Sequence, residues 1–312
     1  MTIAREVVRR LTAGVGLDGL GLSRVGGRWD LRGLSFSVAT TRPVRVAGLD
    51  AMEVAGHDDL TGVRLEGLDL TGADWPFLRL RGCVVSDCVF DSARLPALIC
   101  SDTEVRESSF VGADLRDAMM TGASSLIRSR NSSWTDVDFT RCDLRGSGHI
   151  SETYTGCSFD RAKLHDVDFQ GARHIGSRFT GRLEDVFFWA RAKRSRHSGP
   201  DNTMQDVDLR DAELVGCSFW GLELRTALLP HSPVHVITQP KVGTARRVLD
   251  HLRRHDLVEE LIDLRVLAEY QIKEGPDTEA ARGILHHELL GCTDAERQKA
   301  LQVLAEIQGG RP

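Results

Sequence analysis

Residues 108–120 read Ser108-Ser109-Phe110-Val111-Gly112-Ala113-Asp114-Leu115-Arg116-Asp117-Ala118-Met119-Met120, and Phe110, Leu115 and Met120 stand five apart. The step extends in both directions. Towards the N-terminus it runs back through Val105, Cys100, Leu95, Phe90, Val85, Leu80, Trp75, Leu70 and Leu65 to Leu60. After one break it resumes at Trp134, Phe139, Leu144, Tyr154, Phe159, Leu164, Phe169, Phe179 and Trp189. After a second break it continues through Met204, Leu209, Leu214, Phe219 and Leu224 to Leu229. Of the 32 centres in this register 28 are apolar, the exceptions being Ser125, His149, His174 and Glu184, whereas 41% hydrophobic composition would supply about 13 by chance. A fixed period of this kind marks a solenoid whose turns are stable only when stacked.

Five fits neither the 3.6-residue period of a helix nor the two-residue period of a strand. It fits a chain that turns a corner after every unit. The residue two before each centre is small or apolar, as at Ala73, Cys83, Cys88, Ala93, Ala113, Ala118, Val137 and Cys142. Two residues per unit then point inward and three outward, and four units close a square coil of 20 residues. Phe139, Phe159 and Phe179 should stack on one side, as should Phe90 with Phe110, and His149 with Phe169 and Trp189. Eight coils at roughly 4.8 Å each make a rod on the order of 40 Å long.

Units such as Ala73-Asp74-Trp75, Ala113-Asp114-Leu115-Arg116-Asp117, Val137-Asp138-Phe139 and Val207-Asp208-Leu209-Arg210-Asp211 resemble the A-(D/N)-L-x-x consensus of the pentapeptide-repeat proteins. The resemblance covers residues 56–229 and, in degenerate form, 17–55. It implies a mainly β fold, a right-handed quadrilateral parallel β-helix.

Composition excludes several classes. No run of 18 apolar residues is present, so no membrane span is expected. The first 13 residues lack the apolar stretch of a secretory signal, and a cytoplasmic location is expected. Six of the seven cysteines (Cys83, Cys88, Cys100, Cys142, Cys157 and Cys217) fall on inward positions, where they read as small buried hydrophobes. No zinc-type CxxC pairing exists, and neither a metal nor another cofactor is expected.

Four regions follow. Residues 1–16 carry a capping helix, with Ile3, Val7 and Leu11 on one face, that covers the open end of the rod. Residues 17–229 are the β-helix, with loop insertions at 126–133 and 190–203. Residues 230–240, bracketed by Pro230, Pro233 and Pro240, are a linker. Residues 241–312 form a C-terminal α-helical module with helices expected over 242–255, 257–273, 277–290 and 294–308.

The two insertions carry the functional signal. The first holds Arg128 and Arg130; the second holds Arg191, Lys193, Arg194 and Arg196. Counting faces places both at one corner, three coils or roughly 14 Å apart. The repeat around them is acidic: residues 56–188 hold 21 Asp and Glu against 15 Lys and Arg, and residues 204–229 hold 5 against 2. These six cations are the candidate partner-binding residues, since loops on a rigid scaffold commonly carry function.

No catalytic residue can be assigned, because no Ser/His/Asp or Cys/His group assembles and no phosphate-binding glycine pattern opens a helix. His251 and His255, four apart on a helix, lack the glutamate of a zinc protease motif. His149, His174 and Glu184 occupy inward positions and leave open a pocket in non-consensus coils. Three functions remain. A non-enzymatic scaffold would bind a protein partner through the rod and its basic loops. The resemblance to gyrase-protecting family members implies a DNA mimic that occupies DNA gyrase or another type II topoisomerase and confers resistance to quinolones or toxins, and a homodimer through the C-terminal helices. Direct nucleic-acid binding is not expected. The third is an atypical enzyme with a pocket at the rod–bundle junction near His231, His235 and His174.

Overall fold

The computed structural model describes residues 2–36, 40–46, 49–121, 131–191 and 201–309. From Asp59 onward the chain runs as short strands separated by corners, each paired in parallel with a strand one coil further on. Leu80 opposes Leu60, Cys100 opposes Leu80 and Met120 opposes Cys100. A second sheet stacks Leu65, Val85 and Val105, then Trp134, Tyr154 and His174. Two further rows are held by single bridges, one through Asp69, Val89, Ser109, Asp138 and Ser158, the other through Asp74, Arg94, Asp114, Asp143 and Lys163. Four rows make a four-sided rod.

Each rung alternates outward, inward, outward, as strand geometry requires, so Leu80 is buried between the more exposed Arg79 and Arg81. Corner residues such as Asp87 (φ 52°) and Asp117 (φ 59°) take the left-handed conformation, which the short polar side chain of Asp tolerates. The cysteines before the centres bond across coils: Cys83 Sγ lies 3.2 Å from the carbonyl oxygen of Leu60, and Cys88 Sγ 3.3 Å from that of Leu65. Burial pushes the Cys88 thiol up to about 12, so it is inert at neutral pH. All seven cysteines are unbridged, and Cys292, outside the repeat, is exposed.

Aromatic ladders fill the centre. Phe139 and Phe159 stack at 4.9 Å and 9°, and Phe159 and Phe179 at 4.6 Å and 2°. Such pairs add about 0.5–1.5 kcal/mol each beyond the area they bury.

One expectation about register is corrected. Phe188, not Trp189, opposes Phe169, and Leu183, not Glu184, opposes Leu164. The turn after Phe179 is one residue short, and Gly181 (φ 77°) takes the tight conformation as the strand Arg178–Trp189 runs through it. Glu184 and Trp189 are therefore on the outside. Trp189 stacks there on Trp220 at 4.9 Å, and its indole donates to Asp168 at 2.9 Å.

The N-terminal helix α1 (Ile3–Thr12) buries Ala4 and Val7 on the end of the core, with Leu11 partly buried and Ile3 exposed. Arg5 on this helix grips Asp58, which also accepts from the Trp75 indole. Residues 17–55 are only partly coil-like: Trp29–Phe36 pair with Leu68–Asp74, but Thr40–Val46 and Leu49–Ala55 form an antiparallel hairpin.

Beyond the rod, α2 (Lys241–Arg254), α3 (Ile262–Glu274) and α4 (Asp294–Ile307) are helical. The expected helix over 277–290 does not form. Gly283–His286 is instead a strand, antiparallel to His235–Thr238 within the expected linker. Alternation explains it. Ile237 and Ile284 pack on the core of the rod, while their neighbours Val236 and Leu285 pack with the helices. A two-faced sheet needs this two-residue period, which a helix cannot supply.

Candidate functional site

Both insertions leave the rod after the sheet that contains Met120, His149 and Phe188, and both return at the sheet that contains Trp134 and His174. Among the described residues the flanks thus share one corner, as the face count expected. The inner lining of that corner is polar. Ser132 closes the first insertion, its hydroxyl accepting from the Thr103 amide at 3.1 Å. Asn202 closes the second: its side-chain oxygen accepts from the Met204 amide at 2.9 Å and the His174 amide at 3.3 Å. Both side chains are fully enclosed.

Glu152 stands in the coil between the insertions, with no exposed surface. Its Oε2 accepts from the Trp134 indole at 3.0 Å, while Oε1 has no partner. Desolvation raises its carboxyl to about 8, so it is mostly protonated at neutral pH. Beside it the Ser147 hydroxyl donates to the Leu144 carbonyl at 2.6 Å and accepts from His149 Nε2 at 2.9 Å. His149 Nδ1 therefore accepts from the Tyr154 hydroxyl at 2.5 Å. His174 stacks on Tyr154 at 5.1 Å, and neither of its ring nitrogens has a partner. Burial lowers both histidines to about 3, so they are neutral. Among the described residues, three cavities, one at Lys241 and His286, one at Leu11 and Leu68 and one at Leu78 and Trp134, are lined by residues other than these histidines and Glu184.

Of the six candidate cations Arg191 is described; it is exposed and paired with Asp201 across the base of the second insertion. Arg128, Arg130, Lys193, Arg194 and Arg196 lie outside the described residues.

The outward carboxylates are largely met by this chain's own groups. Asp114 and Arg116, Asp143 and Arg145, and Asp208 and Arg210 form two-pronged pairs on single rungs, with Nη2–Oδ2 distances of 2.8, 2.7 and 2.9 Å. Their hydrogen bonds to arginine hold Asp114 and Asp208 below the usual carboxylate range. Asp91 accepts from Ser109 and the Val111 amide, and Asp160 from Thr180.

His231 is exposed, and His235 is buried, its Nε2 accepting from the Leu214 amide at 2.9 Å. The rings of His251 and His255 lie 4.3 Å apart, and Glu306 lies 4.0 Å from His251. His165, Glu184 and Asp185 bring three potential ligand atoms within 4.8 Å on the outer surface. The register slip hid this last group from the sequence.

The decisive observation is the pairing itself. Five-residue units stack in parallel at twenty-residue intervals, on four rows, through most of the chain. The rod is a four-sided parallel β-helix built from five-residue units. Solved structures to which it is similar at low sequence identity include two described as pentapeptide repeat proteins. Full-length QnrB1, described as a plasmid-mediated fluoroquinolone resistance protein, is 15% identical, with 61% of this chain and 91% of that one covered and a TM-score of 0.26. HetL, described as involved in heterocyst differentiation regulation in the cyanobacterium Nostoc, is 17% identical over 56% and 90% of the two chains, with a TM-score of 0.19. Rfr23 from the cyanobacterium Cyanothece is 13% identical over 64% and 87%, with a TM-score of 0.21. A scan of family models and a search of curated proteins each return no match. Among the described residues of the β-helix and its C-terminal segment, no helix is long and apolar enough to cross a membrane.

Proposed function

We propose that this protein is a non-enzymatic interaction protein whose β-helix presents one basic edge, built from the two insertions, to an acidic protein segment. The observation that carries this reading is the shared corner: two departures from a strict period begin and end on the same two sheets. Both are sealed from inside by a buried polar side chain, Ser132 or Asn202, which ties each loop base to the rod. Arg128, Arg130, Arg191, Lys193, Arg194 and Arg196 supply the charge. Positive loops on a mildly negative rod would steer and orient an acidic partner.

A second reading is the DNA mimic directed at DNA gyrase, favoured by the net negative charge of the repeat. The paired Asp–Arg rungs weaken it, because a carboxylate already held by an arginine contributes little to a continuous anionic surface. A supercoiling assay separates the two. The scaffold reading expects no inhibition of gyrase by the purified protein at micromolar concentration, together with salt-sensitive binding to a polyglutamate peptide. Inhibition that survives replacement of residues 190–203 would favour the mimic and overturn the basic edge.

A further inference from the structure

A cavity of about 70 Å³ lies where the last coils meet the C-terminal segment. The rod contributes Gly216–Phe219, and the C-terminal segment contributes Lys241, Tyr270, Gln271, Glu274, Arg282 and His286. Two of these form a buried ion pair: Lys241 Nζ lies 2.8 Å from Glu274 Oε2, and both side chains are more than nine-tenths enclosed. That pair is neutral as a unit. Arg282 is different. Its Nη2 donates to the Ala227 carbonyl at 3.0 Å, and among the described residues no carboxylate pairs with it. Desolvation alone acts on its guanidinium and lowers its pKa. The lining therefore carries one excess positive charge in a partly dehydrated place, a costly arrangement unless an anion meets it.

Uncharged polar groups line the same cavity. His286 Nδ1 accepts from the Glu288 amide at 3.3 Å, so the neutral ring carries its proton on Nε2. His286 is 2% exposed, and Nε2 has no hydrogen-bond partner; the nearest recorded carboxylate oxygen, Glu213 Oε1, is 3.6 Å away. Gln271 is also enclosed in the lining, and the Ser218 and Tyr270 hydroxyls are 3.1 Å apart. Size narrows the choice further. A cavity of roughly 150 Å³ holds benzene, so one about half as large suits a few waters or an anion of three or four heavy atoms.

We propose that this cavity binds a small oxyanion of the size of formate, acetate or hydrogencarbonate, with Arg282 as the counter-charge and His286 and Gln271 as neutral donors. Because both the rod and the C-terminal segment line it, the bound anion strengthens their docking. This site is separate from the basic edge and stands or falls independently of the proposed partner.

The test is thermal unfolding of the full chain in each of the three sodium salts against sodium chloride at equal ionic strength, with saturation-transfer NMR on formate and acetate. At least one oxyanion is expected to raise the midpoint by about 2 °C or more. Arg282→Gln should weaken that binding at least tenfold, while Arg282→Lys, which keeps the charge, should retain part of it. If Arg282→Gln fails to fold, His286→Phe measured by the same NMR experiment takes its place and should also reduce binding. No midpoint shift and no saturation transfer in the unaltered protein would overturn the proposal and leave water as the occupant. Equal binding by Arg282→Gln would overturn it too.

Discussion

The coils before the first insertion and those between the two insertions share one backbone design but differ inside. From Leu60 to Met120 every centre is apolar and buried, and after Asp58, which Arg5 grips at the capped end, the residues two before the centres are Ala, Cys, Val, Leu, Thr or Ser with at most one small polar group to satisfy. Between Trp134 and Phe188 the same positions hold His149, Tyr154, His174 and Glu152. Three buried polar atoms there, Glu152 Oε1 and both ring nitrogens of His174, have no partner. An unsatisfied buried polar atom costs about 1–3 kcal/mol. The first region is therefore optimised for stacking, and the second spends stability next to the edge assigned to binding. Functional sites commonly break local rules in this way.

The largest expected effect tests what the two regions have in common. Phe159 is stacked above and below, so Phe159→Ala should destabilise the rod by about 3–5 kcal/mol in urea unfolding. A loss under about 1 kcal/mol would mean that the ladder is not the main support of these coils.

The next tests their difference. The unfolded chain releases the Glu152 proton near 4.5, whereas the folded chain holds it to about 8. The folded state therefore binds more protons in that window, and stability falls as pH rises through it. Glu152→Gln should flatten this limb by roughly a few kcal/mol at pH 9, and an unchanged pH profile would show that the acid is not buried uncompensated. On the acid side the sign reverses. His149 and His174 are lowered from 6.5 to about 3, so the unfolded chain binds more protons there and stability falls as pH drops below 6.5.

A smaller effect is expected from His174→Phe. It keeps the stack on Tyr154 and removes two unpartnered nitrogens, so it should stabilise by about 1 kcal/mol and remove part of the acid limb. Destabilisation would show that His174 has a partner or that the extra ring volume is not accommodated. The smallest effect belongs to the surface. Arg116→Ala should cost under about 1 kcal/mol, because the Asp114–Arg116 pair is solvated; a larger loss would make these rungs structural.

Much of the fold was legible because its signal repeats. Leu60 to Met120 alone state the period in twelve consecutive steps over four faces, and the corner shared by the insertions followed by counting. The slip at Gly181 escaped because Leu183 and Phe188 lie directly before Glu184 and Trp189, so one step of register keeps two aromatic candidates in play. The strand at Gly283–His286 escaped for another reason. Its partner, His235–Thr238, lies beyond two helices, and a four-residue segment with two apolar residues at its centre reads equally as helix or strand until its neighbours are known. The cavity at Arg282 was not legible at all, since an unpaired guanidinium is defined by the carboxylates that are absent around it. Glu152 could have been noticed as one of two acids, with Asp58, at the position two before a centre.

The central claim is that one edge of the rod binds through its charge. It is tested most directly by fluorescence anisotropy of a labelled polyglutamate peptide with the unaltered protein and with a variant carrying Arg128→Glu, Arg130→Glu, Arg191→Glu, Lys193→Glu, Arg194→Glu and Arg196→Glu. Circular dichroism should be the same for both. The account predicts salt-sensitive binding by the unaltered protein and at least a tenfold loss in the variant. Equal affinity of the two proteins, or no binding by either at low salt, would contradict it.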